Sequence, residues 1–329
     1  MNKFIVSLLL LLFLQPLSAQ TFKIATAAPD GTFWMKELRS SAKTIQQRTN
    51  GRVKFRFYPG GVMGSDKSVL RKINIGQLHG GLITGGGLAS VYPDANLYNL
   101  PFTFHNYAEV DYVRKDMDQR LMAGLKQNGY ISFGFSEGGF AYMMANVPVR
   151  SVQDLHGLKV WIPEGDRVSQ TSFEAANVSP LPLPLADVLT GLQTGLIDTV
   201  AGSPVGAIAL QWHTQVHYLT DVPLMYLYGS MMVKRKHFEK LSKTDQIIVI
   251  EEMGKAFAKI NEQNRRDDGR ARQVLKKLGI EFVHPLKDET KQWVKMADSA
   301  TQMLLKDGYI DKQNHQHMLN LLTTYRKTR

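Results

Sequence analysis

The chain has 329 residues, with 40 Lys and Arg against 29 Asp and Glu, a formal net charge of +11, and no cysteine. The lack of cysteine excludes a disulfide framework and lipoprotein attachment, so stability must come from burying apolar surface. A positive balance suits nucleic acid or an anionic membrane face, but the densest basic groups (Arg265-Arg266, Arg270 with Arg272, Lys276-Lys277, Arg326 to Arg329) lie on predicted amphipathic helices and read as solvated faces.

The first residues, MNKFIVSLLLLLFLQPLSAQ, set Lys3 before an apolar run from Phe4 to Leu14, then a break at Pro16 and the small pair Ser18-Ala19. This is the build of a secretory signal cleaved after Ala19, with an apolar core too short to span a bilayer. No later stretch has the length of unbroken apolar residues that a span needs. About 310 residues remain, which is too many for one compact core and suits two lobes. Export further argues against a nucleic-acid partner.

Strand and helix patterns then alternate. Thr21 to Ala28 is a predicted strand, Thr32 to Thr49 a helix closed by Asn50-Gly51, Val53 to Pro59 a strand, and Asp66 to Ile75 a helix. His79 to Thr84 is a third strand, entering Gly85-Gly86-Gly87. This alternation predicts a largely parallel sheet with helices on both faces, whose ligands bind beyond the carboxyl ends of the strands. Ile131 to Asn146 reads as strand, GFSEGG loop and strand. The stretch from Val152 to Pro204 reads as a turn, a strand (Leu158 to Ile162), a helix, a second strand, a helix (Ala186 to Leu196) and a Gly/Ser/Pro loop. A helix from Val205 to Tyr218, a strand from Leu224 to Val233, and helices from Lys243 to Leu278, Asp288 to Lys306 and Asp311 to Arg326 complete the chain.

Several local patterns suggest chemistry and lack its context. Gly134-Phe-Ser136-Glu-Gly138 matches the G-x-S-x-G elbow, which needs a helix after the serine, but another strand-like run follows. The glycines at 85 to 87 can let a backbone approach a ligand closely. They do not complete a dinucleotide fingerprint, since its third glycine falls on Ser90. His213 and His217 are four apart, a metal-capable helical spacing, but Thr214 stands where a zinc protease needs Glu. His315 and His317 are two apart and share no helix face.

Three segments, DLHGLKVWIP, SPLPLPLADVLTGLQTG and LIDTVAGSP, together with YPGGVMGSDKSVLRKINIGQLHG and the NLPF of Asn99 to Phe102, resemble the solute receptors of TRAP (tripartite ATP-independent periplasmic) transporters, the DctP-like family. The resemblance covers nearly the whole chain after the signal. It implies an α/β, two-lobe periplasmic-binding-protein-like fold with mostly parallel sheets, an interlobe cleft and a long helix across the lobes, supplied by Lys243 to Leu278 or the helices after it. The implied organisation is signal peptide 1–19, first lobe 20–135, second lobe 136–218, return to the first lobe over 219–250, and a helical part 251–329 completing both. The implied function is capture of a small organic solute, an organic acid by family default, in the periplasm for DctQ- and DctM-like membrane subunits. The receptor is expected as a monomer with no cofactor, no metal and no catalysis. The alternatives are a receptor that feeds a sensor protein and a secreted serine hydrolase using Ser136.

The family's ligand anchors are replaced here. An arginine that usually follows K-[IV] and forks onto the ligand carboxylate is Trp161, an Asn in the loop after D-G is Gly202-Ser203, and a second arginine falls near Phe140 to Tyr142. Removing one partner of a buried charge pair costs about 2 to 5 kcal/mol. Either Arg167 reaches the site instead, or the ligand class has changed. Trp161 either packs in the core or offers its face to a ring or cation, with Phe140, Tyr142 and Trp34 as other walls and Glu137, Glu164 or Asp166 as polar partners.

Overall fold

The computed structural model describes residues 19–328. The signal expected at 1–19 lies outside them apart from its last residue. The first lobe opens with the predicted alternation: β1 (Gln20–Thr26), α1 (Phe33–Arg48), β2 (Val53–Tyr58), α2 (Asp66–Asn74) and β3 (Gly80–Thr84). In α1 the buried residues Met35, Leu38, Ala42 and Ile45 recur at helical spacing, and the Thr32 hydroxyl caps the helix by accepting from the Met35 N–H. Strand β1 pairs in parallel with both β2 and β3 and buries Phe22 and Ile24 completely.

The glycines after β3 do not form an open loop. They begin α3 (Gly85–Ala89), capped by the Thr84 hydroxyl, which accepts from the Gly87 N–H. An unpredicted 21-residue helix, α4 (Tyr107–Gln127), follows, with Val110, Val113, Met117, Leu121 and Leu125 buried along one stripe.

The expected GFSEGG loop is instead the middle of a continuous 16-residue strand, β4 (Tyr130–Ala145). Gly134 (φ 126°) and Gly139 (φ 86°) carry turn-like backbone within it, and the pairing with the later strand shifts register between Ser132 and Phe135 and between Glu137 and Gly139. The turn chemistry is thus absorbed as bulges that bend a strand without ending it. Ser136 sits opposite Gly229 in mid-strand, with no helix after it.

The second lobe comprises β5 (Trp161–Pro163), α5 (Arg167–Glu174), β6 (Leu181–Leu183), α6 (Val188–Gln193), β7 (Thr199–Gly202), α7 (Pro204–Ala209) and β8 (Tyr218–Thr220). The helix expected from Val205 to Tyr218 stops at Ala209, because Gln211 turns left-handed (φ 61°) and β8 is drawn off to pair with β4. His213 and His217 therefore share no helix face. The His213 ring lies against the Ala207 carbonyl, and the His217 N–H donates to the Ala145 carbonyl.

Strand β9 (Met225–Lys234) returns antiparallel along β4, and α8 (Arg235–Phe238), α9 (Lys243–Lys277), β10 (Glu281–Val283), α10 (Lys287–Lys306) and α11 (Lys312–Lys327) follow. The main sheet runs β10-β8-β4-β9-β3-β1-β2, with β7 also on β4. Pairing is parallel within β1, β2 and β3 and between β8 and β10, while the two long strands β4 and β9 run antiparallel to the neighbours they join. Crossing both lobes, α9 is the long helix. Arg48 and Arg52 of the first lobe bond its Glu252 (2.6 Å) and Asp245 (2.8 Å), and its Arg272 reaches Asp221 beyond β8 (2.6 Å).

The second lobe's separate core is closed from outside by α10, whose Trp293 is 1% exposed and donates its Nε1–H to the Arg150 carbonyl at 2.9 Å. Trp293→Ala opens a cavity and orphans that carbonyl, so it should cost about 3 to 5 kcal/mol. The expected readout is a lower urea midpoint; an unchanged midpoint contradicts this account of α10.

Candidate functional site

A cavity of about 280 Å³ lies between the lobes. Its first-lobe wall is the carboxyl ends of β1 and β3 with the start of α3, and its second-lobe wall is β5, α5 and the β7–α7 junction. The bulged middle of β4, the facing part of β9, and Phe257 and Ile260 of α9 close the back. The position follows from strand polarity, since both parallel segments point their carboxyl ends at this gap.

Five of the eight sequence-predicted residues meet here: Trp161, Trp34, Glu137, Gly202 and Ser203. Trp161, 3% exposed, is both core and wall. Its Nε1–H donates to the Leu183 carbonyl at 3.0 Å, and its ring meets Trp212 edge to face at 5.2 Å. Gly202 lies under that second indole: a Cβ there would stand 2.8 Å from the Trp212 ring, so no larger residue fits. The Ser203 hydroxyl caps α7, accepting from the Gly206 N–H at 3.2 Å. Trp34 donates to Asn264 Oδ1 at 2.6 Å, which fixes its ring against α9.

Three predicted residues lie elsewhere. Phe140 and Tyr142 point to the face of β4 opposite Ala141, which lines the cavity; side chains alternate along a strand. Phe140 packs edge-on to Tyr107 (5.2 Å) and Tyr226 (5.7 Å), and the Arg272 guanidinium covers Tyr142 at 4.9 Å. Arg167 does not replace the missing clamp. It lies over the Tyr309 ring at 4.6 Å and pairs with Asp307 at 3.1 Å, about half exposed on the outer side of the lobe. The residue before it, Asp166, is the N-cap of α5 and does line the cavity. Successive residues at a helix start diverge in direction, so only one of the two can face inward. Ser136, Ser169, Asn99, Tyr228 and Trp212 also join the wall. Tyr228 and Trp212 arrive through tertiary packing, with no sequence signal, while Asn99 opens the NLPF segment.

Glu137, 4% exposed, is held by Arg265 (2.6 and 2.7 Å) and Arg114 (2.9 Å). Arg265 also grips Asp111, and Arg114 grips Asp118. Among the described residues, no Lys, Arg or His lines the cavity.

Beside it, the lobes touch. A Cβ on Gly61 of the first lobe would lie 2.8 Å from the Ala186 Cβ of the second, and one on Gly86 would lie 3.0 Å from Asp166. At this seam Asp66 accepts from the Thr84 N–H (3.0 Å) and hydroxyl (2.6 Å). Burial pushes its carboxyl up to about 6, and Glu164 across the seam adds to the shift.

Residues 24–307 match the protein family described as Bacterial extracellular solute-binding protein, family 7. The C4-dicarboxylate-binding periplasmic protein DctP of Rhodobacter capsulatus is 23% identical over 251 residues, 75% of this chain and 74% of that protein. The sialic acid-binding periplasmic protein SiaP of Vibrio cholerae is 21% identical over 274 residues, 82% of this chain and 84% of that one. A TRAP periplasmic solute binding protein of Xanthobacter autotrophicus, solved with bound β-D-galacturonate, superposes with a TM-score of 0.84 at 18% identity, over 92% of this chain and 99% of the other. With the cleft between its lobes and a family match over most of its length, the chain belongs to the bacterial extracellular solute-binding proteins of family 7.

Proposed function

We propose that this receptor captures a small organic solute in the periplasm by closing its lobes over the cavity, and delivers it to DctQ- and DctM-like membrane subunits. The observation that carries this reading is the cavity of about 280 Å³ walled from both lobes at the place where β4 is bulged. Gly134 and Gly139 give that crossing strand the φ freedom a hinge needs. The binding set is Trp161, Trp34, Glu137, Gly202 and Ser203, joined by Asp166 and Ser136. The lobes are taken as 20–135 and 136–218, with β9 as the returning strand. The chain acts as a monomer and binds without turnover: Ser136 lies in a continuous strand, and no histidine of the described residues lines the cavity to serve as its base.

Closure should compact the molecule. X-ray scattering with a ligand found by thermal-shift screening should give a smaller radius of gyration than without it, and an unchanged radius argues for a rigid pocket. Trp161→Ala should weaken that ligand by about 1 to 3 kcal/mol in calorimetry, the usual range for truncating a stacking aromatic. Normal binding by this variant makes Trp161 packing alone. Esterase and amidase assays should read at background; activity lost in Ser136→Ala would refute the binding-only reading.

Acidity should act through Asp66. Its proton is held more tightly in the folded protein than in the unfolded chain, where Asp titrates near 3.9. Its contribution to stability is therefore fully present below about pH 4 and is lost as pH rises through about 6. Asp66→Asn keeps an acceptor for Thr84 and removes the titration. The fall in urea midpoint between pH 4 and 6 should be smaller in this variant than in the wild type.

A further inference from the structure

The class of solute can be read from the charges in the cavity wall, given the receptor reading above. Asp166 is 8% exposed, and its carboxylate accepts from Ser169, at 3.2 Å from the N–H and 2.6 Å from the hydroxyl, with the Val168 backbone N–H as a further donor. No guanidinium or ammonium group bonds to it, and burial raises its carboxyl above the usual range. The other acidic residue of the wall, Glu137, already has its counter-charges in Arg114 and Arg265. The two arginines that hold it also hold Asp111 and Asp118, so two positive groups serve three carboxylates. The wall residues Asn99 and Tyr228 add two buried polar atoms, Oδ1 and Oη, that have no partner. Much of the remaining wall is flat or apolar: Trp161, Trp34, Trp212, Phe173 and Phe257.

A free carboxylate entering this cavity would meet the buried Asp166 carboxylate and no lining cation, at low dielectric, where like charges repel most strongly. A hydrogen-bond donor would instead add to the neutral donors that now serve Asp166, and a cationic one would supply the counter-charge it lacks. A cavity of about 280 Å³ has room for a small ring-bearing molecule. We infer that the cavity takes a small, mostly apolar, ring-bearing solute whose polar end is a hydrogen-bond donor, an amine or a hydroxyl, directed at Asp166, and not a free carboxylate.

A matched set of probes tests this. Phenyl, indol-3-yl and cyclohexyl groups are each offered as the ethylamine, the ethanol and the acetate, and binding to the full mature chain is measured by calorimetry at neutral pH. In every scaffold that binds, the amine or the alcohol should bind at least about tenfold more tightly than the acetate, the ratio expected from one hydrogen bond to a charged group. The ranking of amine against alcohol then tells whether the donor is cationic. Asp166→Asn keeps the N-cap of α5 and removes the charge. It should weaken the amine by roughly ten- to a hundredfold and leave the acetate unchanged or tighter. The inference is overturned if an acetate binds tightest in any scaffold, if none of the nine probes binds, or if Asp166→Asn leaves amine and alcohol affinities unchanged. Native mass spectrometry of the protein taken from its own periplasm separates this from the receptor reading. A co-purified carboxylate that compacts the protein in scattering overturns the inference and leaves the receptor standing, whereas a compacting amine or alcohol supports both.

Discussion

The grip of α9 on the middle of β4 is the contact on which the rest of the molecule depends. Where the strand bulges, its backbone loses regular ladder partners, and a buried polar group left unpaired is costly. Two asparagines on one face of α9 take their place. Asn261 accepts from the Glu137 N–H (2.8 Å) and donates to the Phe135 carbonyl (3.1 Å), while Asn264 donates to the Glu137 carbonyl (2.6 Å) and accepts from Trp34 (2.6 Å). One helix turn thus fixes a bent strand, a cavity wall and a first-lobe indole together. Arg265, on the same face, ties the Glu137 side chain into the network.

This arrangement explains how a strand can be both continuous and bent. Gly134 and Gly139 carry the backbone angles, and the α9 side chains supply the hydrogen bonds that the bulges forfeit. The helix spans both lobes, with its anchors at Glu252 and Asp245 on one side and Arg272 on the other.

The replaced anchors of the cleft form one packed unit. Trp161 meets Trp212, and Trp212 occupies the space that a side chain at residue 202 would need, so Gly202 accompanies the two indoles. Restoring an amide side chain at 202 would collide with the indole, and an arginine at 161 would lose the hydrogen bond to Leu183. A cleft with no cation in its described wall recognises a solute by shape and apolar area more than by charge. The uncompensated Asp166 remains as its polar feature.

Much of this was legible in the sequence because it rests on local patterning. The apolar positions of α1, the helix α2, the 35-residue α9 and the strand and helix order of 152–196 each follow from periodicity that a short window contains, whereas the stretch read as a Gly/Ser/Pro loop after it holds the strand β7, formed by pairing with β4. The family was legible from motif and spacing. Tertiary structure decided what local signals left ambiguous. Glycines at 134 and 139 look like a turn, and only the pairing of β4 with β9 makes them bulges. Asp166 and Arg167 are adjacent and equally polar, and only the docking of α5 against the loop at Asp307 and Tyr309 sends one inward and the other out. Trp212 reaches the wall because β8 is pulled into the sheet and cuts short a helix that the sequence alone would continue. In each case the deciding energy is a contact between residues distant in sequence, which no local window holds.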